Sequence, residues 1–234
     1  MNLFKKVSRF YQKEPYGIGK SKASIPFLKL IPKEKNKVLV IGCGEGHEVF
    51  WLKKHNFNAT GITKEKKEAL NGKKKYNVEI KVADMHGLPF SQKFDAIFAS
   101  NVLEHSPAPF LALLHWRKFL KKGGWLVLVM PSKEWLKEYY HFSVLTHSQT
   151  KDLLEKAGFR LLAGPEFKSK IDFHGGDIFY DLGRIWGHYD GYVAEKTIMP
   201  RKKFMLGDFN KKLSRQSKPL QLIKEVLKRF IYML

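Results

Sequence analysis

Five short apolar runs recur at near-regular spacing: VLVIG (38–42), FNATGI (57–62), VEIKVA (78–83), FDAIFA (94–99) and WLVLVM (125–130). Several are continuous Val, Ile, Leu and Phe, the pattern of strands covered on both faces. The stretches between them, 45–55, 64–75 and 108–121, carry helical patterning. In the last, Phe110, Leu113, Leu114 and Leu120 share an apolar side, Lys121 and Lys122 close it, and Gly123 is expected to stop the helix. Strand and helix in alternation predict an α/β fold on a parallel sheet.

After position 132 the rhythm changes. THSQTKDLLEKAGFRLL reads as a capped helix ending at Gly158, with a strand from Phe159, and DGYVAEKTI (190–198) as a last strand antiparallel to that one. Residues 199–219 are polar and basic. Residues 219–234 form a basic amphipathic helix, and Leu3, Phe4, Val7 and Phe10 beside Lys5, Lys6 and Arg9 mark a second at the other end. Such helices pack on their own domain or a second subunit, or lie on anionic surfaces. The expected divisions are a basic helical extension at 1–36, the α/β domain at 37–198 and a basic tail at 199–234. The oligomeric state is not legible.

With 44% hydrophobic and 14% aromatic residues in 234, the chain is globular and too apolar for disorder. No apolar run approaches the ~18 residues that crossing a bilayer takes. The first twelve residues, MNLFKKVSRFYQ, lack the apolar core and cleavage site of a signal peptide. A single cysteine, Cys43, leaves no disulfide framework and no Cys-based zinc knuckle. These features predict a cytoplasmic protein, with membrane-peripheral attachment left open by the amphipathic ends. The net charge of +21 comes mostly from lysine. Nucleic-acid readers lean on Arg, so the charge indicates an anionic surface, nucleic acid or phosphorylated substrate without choosing among them.

The loop after the first run contains Gly42, Gly44 and Gly46. A dinucleotide fingerprint needs its third glycine where His47 stands. What remains is G-x-G-x-G, in which the backbone bends sharply and a ligand can approach the N–H groups. By itself the pattern serves equally as a tight strand-to-helix turn.

The later residues extend it. VLVIGCGEG, ATGITKEKKEA, VADMHGLPF, FDAIFASNVLEHS, KKGGWLVLVMPS and HFSVLTHSQTKDLLEKAGF, in this order and spacing, resemble the class I S-adenosylmethionine-dependent methyltransferases over about 37–162. The branch with the ubiquinone- and menaquinone-biosynthesis enzymes is the most similar. The resemblance implies a Rossmann-like, seven-stranded, mostly parallel sheet with helices on both faces and the last strand antiparallel. It also implies S-adenosyl-L-methionine as cofactor. Gly42, Cys43, Gly44 and Gly46 would wrap its methionine moiety, and Asp84 would accept from the adenine amino group. Met85 would pack on the ring, and Ser100 and Asn101 would line the amino-acid end. Asp84 is otherwise a turn or helix cap. Two positions depart from the family: Val40 stands where an acidic residue is usual, and Thr63 where a ribose-binding carboxylate is usual. The GIT form is similar to that of cyclopropane-fatty-acid synthases, where a polar residue five positions on joins the Thr. Here that residue is Glu68, with Glu65 as runner-up, and both otherwise solvate a Lys-rich helix.

His105, just beyond the fourth run, stands where a general base would, or it serves only to fix its loop. Glu104 and His105 could ligate a divalent cation, but no further ligand is identifiable from sequence, so no metal is expected. His141, His147 and His174 are lesser candidates. SNVL replaces the Asn/Asp-Pro-Pro-aromatic motif of adenine amino-methylation, and no Pro-Cys pair exists for C5-cytosine methylation. FHGGDIFYDLGRIWGHYDGY (173–192) mixes aromatic, Gly and His residues as a substrate-pocket lining does. The expected activity is O-methylation of a small-molecule, glycan or lipid-like acceptor. The alternatives are methylation of RNA or another nucleic acid, and a non-catalytic binding protein with a degenerate cofactor site.

Overall fold

The computed structural model describes residues 24, 25, 27–131, 141–164 and 189–197. The N- and C-terminal amphipathic segments, residues 173–188 and His174 lie outside them. The described residues form a seven-stranded sheet of order β3-β2-β1-β4-β5-β7-β6. In chain order the elements are β1 (Lys37–Ile41), α1 (His47–Lys54), β2 (Asn58–Thr63), α2 (Lys66–Tyr76), β3 (Ile80–Val82) and β4 (Phe94–Ser100). A 3-10 turn (Leu103–His105) follows, then α3 (Pro109–Lys118), β5 (Leu120–Pro131), α4 (His147–Lys156), β6 (Phe159–Ala163) and β7 (Tyr189–Lys196). Strands β1 to β5 pair in parallel, and β7 runs antiparallel to both β5 and β6.

The period of two along each strand divides the core into two layers. Val38, Val40, Ala96, Phe98, Val127 and Val129 meet Val49 and Leu52 of α1, Tyr76 of α2, and Ile25, Phe27 and Leu28. Leu39, Ile41, Ile97, Ala99, Leu126 and Leu128 meet Leu113 and Trp116 of α3 and Leu154 of α4. With both faces covered, the central strands must be apolar throughout, which is why they read as unbroken runs.

Helix α4 starts on a capping box. Thr146 accepts from Gln149 N–H while Gln149 Oε1 accepts from Thr146 N–H. Helix α3 departs from expectation. It ends at Lys118, and the residues from Leu120 already belong to β5. Gly123, at φ 66°, lies inside that strand rather than after the helix. Leu120 is fully buried and pairs with Phe94, so burying it overrides the helix-stop appearance of Lys-Lys-Gly-Gly. Strand β3 is also shorter than the run at 78–83.

The strand order places the site. The chain steps from β1 outward through β2 to β3, then returns beside β1 with β4 on the other side. The loops after β1 and β4 therefore leave in opposite directions, and the crevice between them lies at the carboxyl ends of the strands. Helix α2 closes on this edge through Gly72. A Cβ there would stand 2.4 Å from the Glu45 carbonyl oxygen and 2.6 Å from Ile80 Cδ1. Alanine gains ~1 kcal/mol of helix propensity over glycine, but the backbone oxygen cannot yield to it. Gly72→Ala is expected to lower stability by about 1–2 kcal/mol net, read from the urea midpoint; an unchanged midpoint would contradict this packing.

Candidate functional site

The glycine loop leaves β1 with all three glycines at positive φ: 65° at Gly42, 53° at Gly44 and 82° at Gly46. Their surroundings differ. A Cβ at Gly42 would come within 2.3 Å of Val102 Cγ2, and one at Gly46 within 2.7 Å of Ile80 Cδ1. At Gly44 nothing lies closer than Glu68 Oε1, at 3.9 Å. The outer two glycines let the loop pack; the middle one faces open space beside a carboxylate. The loop is pinned to β2 by Cys43 N–H on the Ile62 carbonyl, 2.9 Å.

Cys43 contributes only backbone to this surface. Its side chain is buried, and its sulfur would meet a Cβ at Gly61 at 2.6 Å. Burial, joined by the charge of Glu48, pushes the thiol far above its ordinary range. Glu48 is itself buried in the first turn of α1, where it accepts from Ser24 Oγ at 2.8 Å and burial pushes its carboxyl up.

At the end of β2, the nearly buried Thr63 donates its hydroxyl to the Glu68 carboxylate. The same oxygen accepts from Glu65 N–H at 3.3 Å. Of the two glutamates considered, Glu68 pairs with Thr63 and faces the glycine loop, while the Glu65 residue is exposed. The β2 end is also bonded to the next loop, Ala83 N–H donating to the Thr63 carbonyl at 2.8 Å.

That loop carries Asp84 and Met85. Asp84 Oδ1 accepts from both the backbone N–H and the ring Nδ1 of His86, each at 2.8 Å. Partial burial pushes its pKa up. The His86 bonds and the nearby charges of His86 and Lys64 outweigh that and hold the carboxyl below its usual range. Met85 packs half-buried on the core, its carbonyl accepting from Trp116 Nε1 at 2.9 Å.

At the end of β4, Ser100 and Asn101 are half-buried. Asn101 sits at φ 53° and donates its N–H to the Val129 carbonyl at 3.0 Å. Asparagine tolerates this conformation better than most residues. The 3-10 turn then presents His105, whose ring packs edge-on against His141 with centroids 5.0 Å apart. Glu104 is fully buried behind it, with Oε1 4.0 Å from His105 Nε2. One ligand atom from each of Glu104, His105 and His141 lies within 4.8 Å of the others. His147 instead faces Tyr192, 3.2 Å from its hydroxyl.

The candidates thus gather at the ends of β1, β2, β3 and β4. Two partners were not assigned from sequence. His86 stands two residues past Asp84, the spacing of an Asx turn, and His141 reaches His105 only through tertiary packing.

A model of the methyltransferase domain matches residues 16–163, and the chain belongs to that family, whose cofactor is S-adenosylmethionine. The tRNA U34 carboxymethyltransferase of Nautilia profundicola is 30% identical over 102 residues, 41% of this chain and 34% of that protein. The ubiquinone biosynthesis O-methyltransferase of Hydrogenovibrio crunogenus is 26% identical over 140 residues, 56% of this chain and 57% of that one. The chain therefore spans about a third and somewhat over half of these two relatives. A solved S-adenosylmethionine dependent methyltransferase from Mesorhizobium loti shares the fold at TM-score 0.57 and 17% identity, covering 74% of this chain and 98% of that one.

The residues fit the family's cofactor. The open face at Gly44, the Thr63–Glu68 pair beside it and the outward carboxylate of Asp84 are what a positively charged, hydroxyl-bearing adenosyl ligand requires. Cys43, being buried and protonated, is expected to alkylate with iodoacetamide at pH 8 at least ~100-fold more slowly in the native protein than in the unfolded chain; equal rates would contradict its placement.

Proposed function

We propose that the chain transfers a methyl group from S-adenosylmethionine to an oxygen of a small-molecule, glycan or lipid-like acceptor. This follows the ubiquinone- and menaquinone-biosynthesis-like branch. The observation that carries the reading is the Glu68 carboxylate, held by Thr63 and turned toward the open side of Gly44. It supplies the acidic group missing from the end of β2. It also speaks against the reading of a binding protein with a degenerate site.

When bound, the cofactor supplies a methyl group on a positively charged sulfur, and transfer is a direct displacement. The protein's part is alignment and proton removal. Thr63 and Glu68 hold the ribose hydroxyls, and Asp84 and Met85 the adenine. Gly42 to Gly46, with Ser100 and Asn101, hold the amino-acid end. His105, at the end of β4 with the Glu104 carboxyl behind it, takes the proton from the acceptor oxygen. Phe142, 65% exposed next to His141, offers an apolar ring to the acceptor.

A second reading, an RNA acceptor, is supported by Lys64, Lys66, Lys67, Lys73, Lys74, Lys75 and Lys81. All are exposed on or beside α2 and β3.

Tritiated methyl transfer from S-adenosylmethionine to a panel of hydroxylated small molecules, and separately to bulk tRNA, tests both. Under the first reading label enters a small acceptor. Glu68→Ala then raises the cofactor KM about tenfold, and His105→Ala lowers kcat by ~100-fold with that KM unchanged. Label in tRNA alone would replace the first reading with the second, and label in neither would leave a binding protein.

A further inference from the structure

Asp84 is largely exposed, its side chain 59% accessible, yet it is not free to rotate. His86 binds it twice, through backbone N–H and ring Nδ1, and both bonds fall on Oδ1 at 2.8 Å. Among the described residues no hydrogen bond reaches Oδ2. Nδ1 donates to the carboxylate, and Nε2, the other ring nitrogen, can pair with a hydroxyl either as donor or as acceptor. Ser106 Oγ lies 2.9 Å from that nitrogen. The Ser106 oxygen also accepts from Ala108 N–H at 3.1 Å.

The far end of this chain is rigid. Ser106 is fully buried, and its N–H donates to the Leu103 carbonyl at 3.0 Å. Its carbonyl accepts from Ser143 Oγ at 3.1 Å. The turn it closes carries Glu104 and His105. His86 is therefore a strut between the loop after β3 and the turn after β4. It occupies one oxygen of Asp84 and leaves the other for a ligand.

We propose that His86 is the positioning residue of the adenine subsite: by holding Oδ1 against Ser106, it fixes Oδ2 to accept from the 6-amino group and so sets selectivity for adenine over a 6-oxo purine. This rests on the reading of Asp84 as the adenine acceptor. A carboxylate that swings freely loses ordering entropy on binding and can turn away from a wrong base. One fixed in place meets the carbonyl of a 6-oxo purine as an unpaired, repelling group.

The test is calorimetric titration with S-adenosylhomocysteine and its hypoxanthine counterpart, S-inosylhomocysteine. The wild type is expected to prefer the adenine ligand about tenfold or more, and Asp84→Ala to erase the preference. His86→Ala and His86→Gln are expected to lose most of it while still binding. His86→Asn places an amide N–H near the Nδ1 position and is expected to retain it, and Ser106→Ala to fall between. A merely structural His86 would weaken both ligands by one factor and leave their ratio intact. A preference that Asp84→Ala erases but His86→Ala and His86→Gln keep would overturn the role of His86 alone. A wild type without preference, or one that Asp84→Ala leaves unchanged, would overturn the reading of Asp84 and this proposal with it.

Discussion

The close packing onto glycines in and against the loop after β1 is the constraint on which the rest of the site depends. Gly42 lies under Val102, Gly46 against Ile80, and Gly72 of α2 against the Glu45 carbonyl. None of these contacts has room for a Cβ, so the turn after β4, strand β3 and helix α2 are all drawn to within a few ångströms of one loop. With α2 held there, Glu68 in its first turn faces Gly44 and meets Thr63 at the end of β2. A carboxylate at the sheet edge is thereby supplied from a helix rather than from the strand itself.

The same edge sorts the remaining groups by what holds them. Thr63, Ala83 and Asn101 are fixed through backbone bonds to neighbouring strands or loops. Asp84 is fixed by side chains, through His86 to the buried Ser106. His105 sits on a turn whose Glu104 carbonyl also accepts from Phe142 N–H and Ser143 N–H. Asp84 and the turn carrying His105 thus share Ser106 and Ser143 as common supports. Displacing either serine would reach both halves of the site.

Much of this was legible in the sequence because the relevant patterns are local. The strand runs stand out since both faces of β1, β4 and β5 are covered; the Thr63–Glu68 pair was implied by the resemblance of the GIT form, and the structure brings the two side chains together. The seven-stranded sheet with its antiparallel partner strands, the methyltransferase family and its cofactor agree with that reading. What was not legible depended on distance in the fold. Lys121, Lys122 and Gly123 look like a helix end, but the burial of Leu120 against Phe94 carries them into β5. Asp-x-His is common in turns, so His86 acquires meaning only once Ser106, twenty residues on, arrives at its other nitrogen. Glu104 and His105 gain a third neighbour, His141, only through the segment that follows β5.

The central claim is that the glycine loop is a ligand cradle rather than only a turn, and Gly44 separates the two. Asparagine tolerates φ 53°, and the space beyond Gly44 holds no atom nearer than Glu68 Oε1 at 3.9 Å. Gly44→Asn should therefore leave the thermal midpoint close to that of the wild type while filling the cradle. Calorimetric titration of both proteins with S-adenosylhomocysteine is the direct measurement. The account predicts binding by the wild type and a loss of about tenfold or more, ~1.4 kcal/mol, in the variant. Equal affinity in the two proteins, or no binding in the wild type, would contradict it.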